Sequence, residues 1–203
     1  MDDVTEISQL VVRERQSRVM HLDDQLRDCF HSDATVNTSW MSGSAAAFVS
    51  GRELPSAANA GPIINRAGPP VVHHSGRRAV VQLPSTTIRW LTVNGVEAEL
   101  VSFMRLIYRA EQRDGVWRIS DLSTVNEGDT LNPAVPGSDL HVDPTALVGL
   151  RHSYRYLAYT RSLEGVTVSP DLHGNDRPDA VKALYEDAYA WLAAQPVVEG
   201  AGA

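Results

Sequence analysis

The stretch IRWLTVNGVEAELVSFMRLIY, residues 88–108, decides the fold. β-Branched and aromatic residues crowd both sides of Asn94-Gly95, a dipeptide that tolerates the positive φ angles of a two-residue hairpin turn. Residues 88–93 and 96–108 therefore read as two long antiparallel strands. The first reaches back to Ala79-Val80-Val81, and Asp114-Gly115 turns the second into a third strand over residues 116–122. Three consecutive strands joined by tight turns make a meander. Further out, residues 70–74 before Ser75-Gly76 read as a shorter strand, and residues 34–40 as the first strand of the chain.

Helical periodicity flanks this sheet. Residues 4–17 put Val4, Ile7, Leu10 and Val11 on one face, and residues 21–30 repeat Leu22, Leu26, Cys29 and Phe30. Ser44 caps a short predicted helix over residues 45–54, closed by Pro55, and an Ala-, Gly- and Pro-rich loop runs to about Ile63. After a loop-like stretch over residues 132–144, helices are predicted for residues 144–164 and 178–194, then a small-residue tail over 197–203. The order predicts an α+β fold: a curved antiparallel sheet forming a cone, with N-terminal helices and a two-helix C-terminal extension. The expected division is residues 1–131 for the cone and 132–203 for the extension, packed on the same domain.

The 203 residues carry 18 basic and 25 acidic side chains, a formal charge of −7, with no basic run longer than Arg77-Arg78. Such a chain offers no attraction to phosphate backbones, so no nucleic-acid partner is expected. The apolar run over residues 44–50 is too short to span a membrane, and Met1-Asp2-Asp3 opens without a basic and apolar leader. The expectation is a cytoplasmic protein with no membrane partner. The single cysteine, Cys29, excludes an intrachain disulfide and multi-cysteine zinc sites, and its helical context suits a buried structural thiol. Neither a Gly-rich phosphate loop nor an H-E-x-x-H pattern is present, so no metal and no cofactor are expected.

The run CFHSDATV (residues 29–36), Phe48, the hairpins and RDGVWRI (residues 113–119) together resemble the SnoaL-like group of the nuclear transport factor 2-like superfamily, over roughly residues 5–130. The resemblance implies a cone with one apolar pocket. The superfamily holds isomerases, dehydratases, epoxide hydrolases, cyclases and non-catalytic binders, so fold alone names no reaction. The polar positions of the scytalone dehydratase type fall on Arg18, Val19, Thr38, Asn65, Trp90, Ser102 and Met104, and only the serine is kept. The general-base position of the ketosteroid isomerase type is Thr38, which cannot take a proton near neutral pH. The Asp-Arg-Asp cluster of the limonene-epoxide-hydrolase type is missing, because Arg105 is flanked at that spacing by Phe103 and Ile107.

Alternation separates the faces of each strand. If Ser102 points inward, so do Met104, Leu106 and Tyr108; Thr86, Ile88 and Trp90 are expected beside them, and the resemblance adds Ser120, Leu122, Thr124 and Asn126. The predicted substrate-binding set is Thr38, Asn65, Ile88, Trp90, Ser102, Met104, Tyr108, Leu122, Thr124 and Asn126, with Asn126 at the mouth and the 144–164 helix as lid. Catalytic candidates are His152 and Tyr156, on one stripe of that helix, and Asn65. Arg105 and Asp121 are expected to form a structural pair on the outer face, His31 and Asp33 to serve a turn, and His73 and His74 to point to opposite faces. Phe103, Ile107, Trp117 and Ile119 are expected outward and bare, which predicts a homodimer packed through them. Two readings of function stay open. One is a lyase-, isomerase- or cyclase-type enzyme acting on a small apolar polycyclic, terpenoid or polyketide-like molecule; the other is a non-catalytic binder or degenerate relative.

Overall fold

A computed structural model describes residues 2–51 and 60–194, with backbone alone for residues 60–62. Helix α1 (Asp3–Met20) is capped by Asp2, whose carboxylate accepts the Thr5 amide, and ends at His21 in a left-handed conformation. Short α2 (Asp23–Asp28) leads into strand β1 (Phe30–Asn37), β2 (Ser42–Ser44) and α3 (Ala45–Ser50). Ser44 caps α3 as expected, but the predicted end of that helix at Leu54 and Pro55, like the tail over 197–203, lies outside the described residues. A strand not anticipated from sequence follows, β3 (Ala60–Ala67), and then β4 (Val71–Ser75). The meander consists of β5 (Arg78–Val93), β6 (Val96–Arg113) and β7 (Val116–Pro133).

The strands form one seven-stranded sheet in the order β2-β1-β7-β6-β5-β3, with β4 also on β5. All pairings are antiparallel except β1 on β7, which is parallel. The turn residues behave as their sequence demands: Asn94 and Gly95 have φ of 50° and 81°, Asp114 and Gly115 52° and 77°. Two irregularities in β7 matter for everything that follows. Between the Arg109–Asp121 and Ala110–Ile119 pairs, Ser120 bulges out, its hydroxyl donating to the Arg109 carbonyl at 3.2 Å. A second bulge at Glu127 separates the Met104–Asn126 and Phe103–Gly128 pairs.

Each bulge flips the side chains beyond it. Trp117 and Ile119 consequently share the concave face with Leu122 and Thr124, and both are buried in the core formed with α1, α2 and α3. Their expected outward placement is therefore corrected. Ile107 does face outward, but α5 (Pro178–Ala193) covers it, together with Val80 and Val125, through Val181, Ala188 and Leu192. Of the four residues on which the dimer expectation rested, only Phe103 is outward and exposed. Three arginines of the convex face tie α5 and its approach down: Arg78 donates to the Trp191 carbonyl, Arg105 to the Tyr185 hydroxyl and Asn175, and Arg109 to Asp187. Arg105 has Glu127 as its carboxylate at 2.6 Å, not Asp121, which lies opposite Arg109.

The expected helix over residues 144–164 is interrupted. Pro144–Leu147 and His152–Tyr154 are single 3-10 turns, separated by Gly149 at φ 81°, and only α4 (Arg155–Leu163) is regular. Helix α4 and the turns before it close a second core over the far end of the concave face, against Leu91, Val93, Ala98 and Leu100. Between α4 and α5 the chain crosses the edge of β7, where Gly174 bridges Asn126. None of the described helices is long and apolar enough to cross a membrane.

Candidate functional site

The concave face has two ends and a belt between them. At the α1 end, Val36, Val81, Leu83, Leu106, Tyr108 and Leu122 pack against Ile7, Val11 and Phe48, and the cone is filled. Even the charges there are closed off. Glu14 is fully buried, receives the Tyr108 hydroxyl at 2.9 Å and is clasped by the neighbouring Arg15. Burial opposes the charge of Arg15, yet Glu14 and Tyr108 hold it above its ordinary pKa, while burial drives the Tyr108 phenol well up. Burial also pushes the Cys29 thiol up to about 12, which makes it an inert core group.

The belt lies where β3, β5, β6 and β7 run side by side. Asn65 pairs with Thr87, Thr87 with Ser102, and Ser102 with Asp129, so four polar side chains cross the sheet in one transverse row on the concave face. The Asn65 amide donates to the Thr87 hydroxyl at 3.0 Å and accepts from Ser85 at 3.2 Å. At the other end, Asp129 Oδ2 accepts the Leu157 amide at 2.7 Å and so caps α4 across the chain, where no local side chain does. Its Oδ1 is buried and has no hydrogen-bond partner. Burial pushes the Asp129 carboxyl above the ordinary range, against the Leu157 and Tyr156 amides and the charges of Arg155 and His152.

The predicted site residues scatter with respect to this belt. Asn65, Ser102 and Met104 lie on or beside it. Thr124 and Leu122 are on the same face, toward the filled end. Tyr108 is inside the filled core and committed to Glu14. Thr38 sits in the turn after β1, with its amide and hydroxyl on the Met41 carbonyl. Asn126 is taken up by structure: backbone and side-chain amides both donate to the His173 carbonyl, at 2.9 and 3.0 Å.

Ile88 and Trp90 are misplaced by the sequence reading, and Thr86 with them. The two-residue turn pairs Val93 with Val96, so odd-numbered residues of β5 share a face with even-numbered residues of β6. Ser85, Thr87 and Arg89 face inward, and Thr86, Ile88 and Trp90 face out. His152 is exposed and Tyr156 half-buried; neither reaches across the belt by any hydrogen bond to its side chains, although the charge of His152 is felt at Asp129.

Three residues of the site went unread in the sequence: Thr87, Arg89 and Asp129. Asp129 follows Gly128 in a stretch that looks like the end of a strand, and only the bulge at Glu127 turns it inward. For Arg89 the signal was available: the Asn94-Gly95 turn already dictates its side. Outside the belt, a cleft of about 380 Å³ opens between β1 and α3, lined by His31, Phe30, Val49 and Arg118 among others. His31 meets the Glu111 carbonyl there at 3.0 Å, and no belt residue contributes to the cleft. His73 and His74 do face opposite ways, His73 against Tyr189 on α5 and His74 against Trp117.

A family model described as a SnoaL-like domain matches residues 1–123. The chain belongs to the SnoaL-like family. A PEP2-like protein of Fusarium vanettenii is 29% identical to the SnoaL-like chain over 133 residues, 62% of this chain and 57% of that protein, so the chain spans little more than half the length of this curated relative. Among solved structures, a putative scytalone dehydratase from Novosphingobium aromaticivorans superposes with a TM-score of 0.53 at 12% identity, covering 67% of this chain and 95% of the other. A hexachlorocyclohexane dehydrochlorinase, LinA type 2, gives 0.50 at 16% identity, covering 69% and 92%. The Kfla4162 protein of Kribbella flavida gives 0.50 at 16%, covering 66% and 91%. These likenesses establish the cone fold. Asp129 and α4 lie beyond the matched family segment, whereas Asn65, Thr87, Arg89 and Ser102 lie within it.

Proposed function

We propose that this SnoaL-like protein binds a small, largely apolar molecule of polycyclic, terpenoid or polyketide type beneath α4, and moves a proton on it without a cofactor, as a lyase, isomerase or cyclase does. Asp129 is the proton acceptor. The observation that carries this reading is the transverse row Asn65–Thr87–Ser102–Asp129, which ends in a buried carboxylate held by one oxygen and unpartnered at the other. A carboxylate raised above its usual pKa is a stronger base. The Ser102 and Thr87 hydroxyls stand where a carbonyl or hydroxyl of the bound molecule needs hydrogen bonds, next to the apolar cluster that Leu91, Leu100 and Leu131 form with α4. Two neighbours bear the names of elimination enzymes, a dehydratase and a dehydrochlorinase, but at this identity they lend the fold alone.

The test is hydrogen exchange in D2O with a panel of cyclic ketones and phenols, followed by NMR. Exchange at carbon is expected, rising with pH through an inflection above the ordinary carboxylate range, and lost in Asp129→Asn. Binding without exchange, equal in wild type and Asp129→Asn, would leave the alternative reading of a non-catalytic binder, in which Asp129 merely caps α4.

Self-association is part of the same reading, through a different surface from the one expected. On the convex face beyond α5, Ile64 lies opposite Ile88 and Ile88 opposite Val101, with exposed Phe103 alongside. A second copy packed on this apolar row makes a homodimer, and light scattering that returns a monomer at micromolar concentration rejects it.

A further inference from the structure

We infer that the molecule held beneath α4 is an organic acid, its carboxylate received by Arg89, which flanks the belt on β5, two strands from Asp129. This rests on the site proposed above and narrows its substrate class. Arg89 is two residues along β5 from Thr87, on the same face, with Ile63 and Leu100 as its cross-strand neighbours. Its residue surface is 8% exposed. Among the described residues its nearest carboxylate is Glu164, 3.7 Å from Nη2, and both Nε and Nη1 are buried without an acceptor. Glu164 is already engaged: Arg161, 6% exposed, donates to its other oxygen at 3.0 Å. Two buried guanidiniums thus share one carboxylate, and Arg89 has the longer contact of the two.

An unpaired buried charge is costly, and a residue serving only to tether α4 is expected to have an acceptor of its own. The other arginines that tie segments together in this protein do: Arg105 has Glu127, Arg109 has Asp187 and Arg151 has Asp176. Arg89 lacks one, and it borders the polar row instead of solvent. The missing partner that fits a guanidinium with free N–H groups in an apolar surround is a planar oxyanion, of which a carboxylate is the common organic form. Thr87 and Asp129 are two strand spacings apart, about 10 Å. A flat acid of two fused rings spans that gap, with its carboxylate at Arg89 and the bond that loses a proton near Asp129.

The experiment is isothermal titration of the full chain with 2-naphthoate and with its uncharged isostere 2-naphthamide. The acid is expected to bind at least tenfold more tightly, with a preference that shrinks as salt rises. Arg89→Gln should abolish the preference by lowering acid affinity to the level of the amide, and Arg89→Lys should retain part of it. Equal affinity for acid and amide in the wild type, a comparison that needs no variant, overturns the inference and leaves the proposed function standing. A preference that survives Arg89→Gln overturns the assignment to Arg89. If neither probe binds at millimolar concentration while thermal unfolding is normal, the site beneath α4 fails, and both readings fall with it.

Discussion

The two ends of the concave face bury ionisable groups in opposite ways. At the α1 end the fully buried charge is answered: Glu14 has Arg15 and the Tyr108 hydroxyl, and the surrounding core is closed. At the α4 end Arg89, Asp129 and Arg155 each keep a buried polar atom with no hydrogen-bond partner. A fold loses stability by leaving such groups short, and it keeps them where something other than stability is served. The comparison teaches that the filled end is the structural core of the cone and the underserved end is the candidate site, of which Asp129 and α4 lie outside the matched family segment.

The most severe challenge to that division is Glu14→Ala. Removing one member of a buried pair strands the other, so Arg15 should destabilise the fold by about 3–5 kcal/mol, read by denaturant unfolding. A loss under about 1 kcal/mol would mean that the α1 end is not the rigid core described. Tyr108→Phe sharpens the same point at lower cost. It removes one hydrogen bond to a charged group, worth about 1.5–3 kcal/mol, and should leave ligand affinity untouched, because Tyr108 does not reach the belt.

Trp90→Ala comes next. A core tryptophan would cost about 3–5 kcal/mol. On the half-buried convex face the loss should be about 1–2 kcal/mol at most, and any effect should appear in self-association.

Asp129→Asn has the smallest effect on stability and the opposite sign. The folded carboxyl is raised, so its contribution to stability is full below the unfolded pKa and is lost as pH rises through the folded value. The asparagine oxygen can still accept the Leu157 amide, so near neutral pH the variant should be as stable as wild type or more so, by about 1 kcal/mol. That is roughly 2–4 °C in Tm for a domain of this size. The advantage should vanish below about pH 4. A variant that melts well below wild type at pH 7 would show that the carboxylate's charge is needed for capping alone.

Much of the scaffold was legible because its punctuation is chemical. Asn94-Gly95 and Asp114-Gly115 can hardly do anything but turn, and the apolar spacing of Ile7, Leu10 and Val11 can only be a helix face. The site was less legible for two distinct reasons. For Ile88 and Trp90 the signal lies in the turn: two residues between Val93 and Val96 put Thr87 and Arg89, not Ile88 and Trp90, on the face of Ser102. For β7 the alternation itself carried a warning. The apolar positions run Trp117, Ile119, then Leu122, and that shift from odd to even is the trace of the bulge at Ser120. The bulge at Glu127 leaves no such trace, since Gly128 is silent and Asp129 is polar on either face. Nor does local pattern reveal that α5 turns back over Ile107, because the contacts that hold it there are long-range arginines.

The Asn126–Gly174 bridge has a consequence for solubility. Strand β1 shields the edge of β7 only from Ile119 to Ser123, and beyond that β7 continues for ten residues with one flank away from β6. An open flank of that length is a template for another chain's strand. The crossing segment occupies its start: His173 and Asn175 take up both backbone groups of Asn126, and Gly174 lies so close to Ser153 that a Cβ would meet it at 2.8 Å. Gly174→Ala would lift that segment off the strand, and the first symptom to appear in a flask should be turbidity on storage, ahead of any drop in melting temperature.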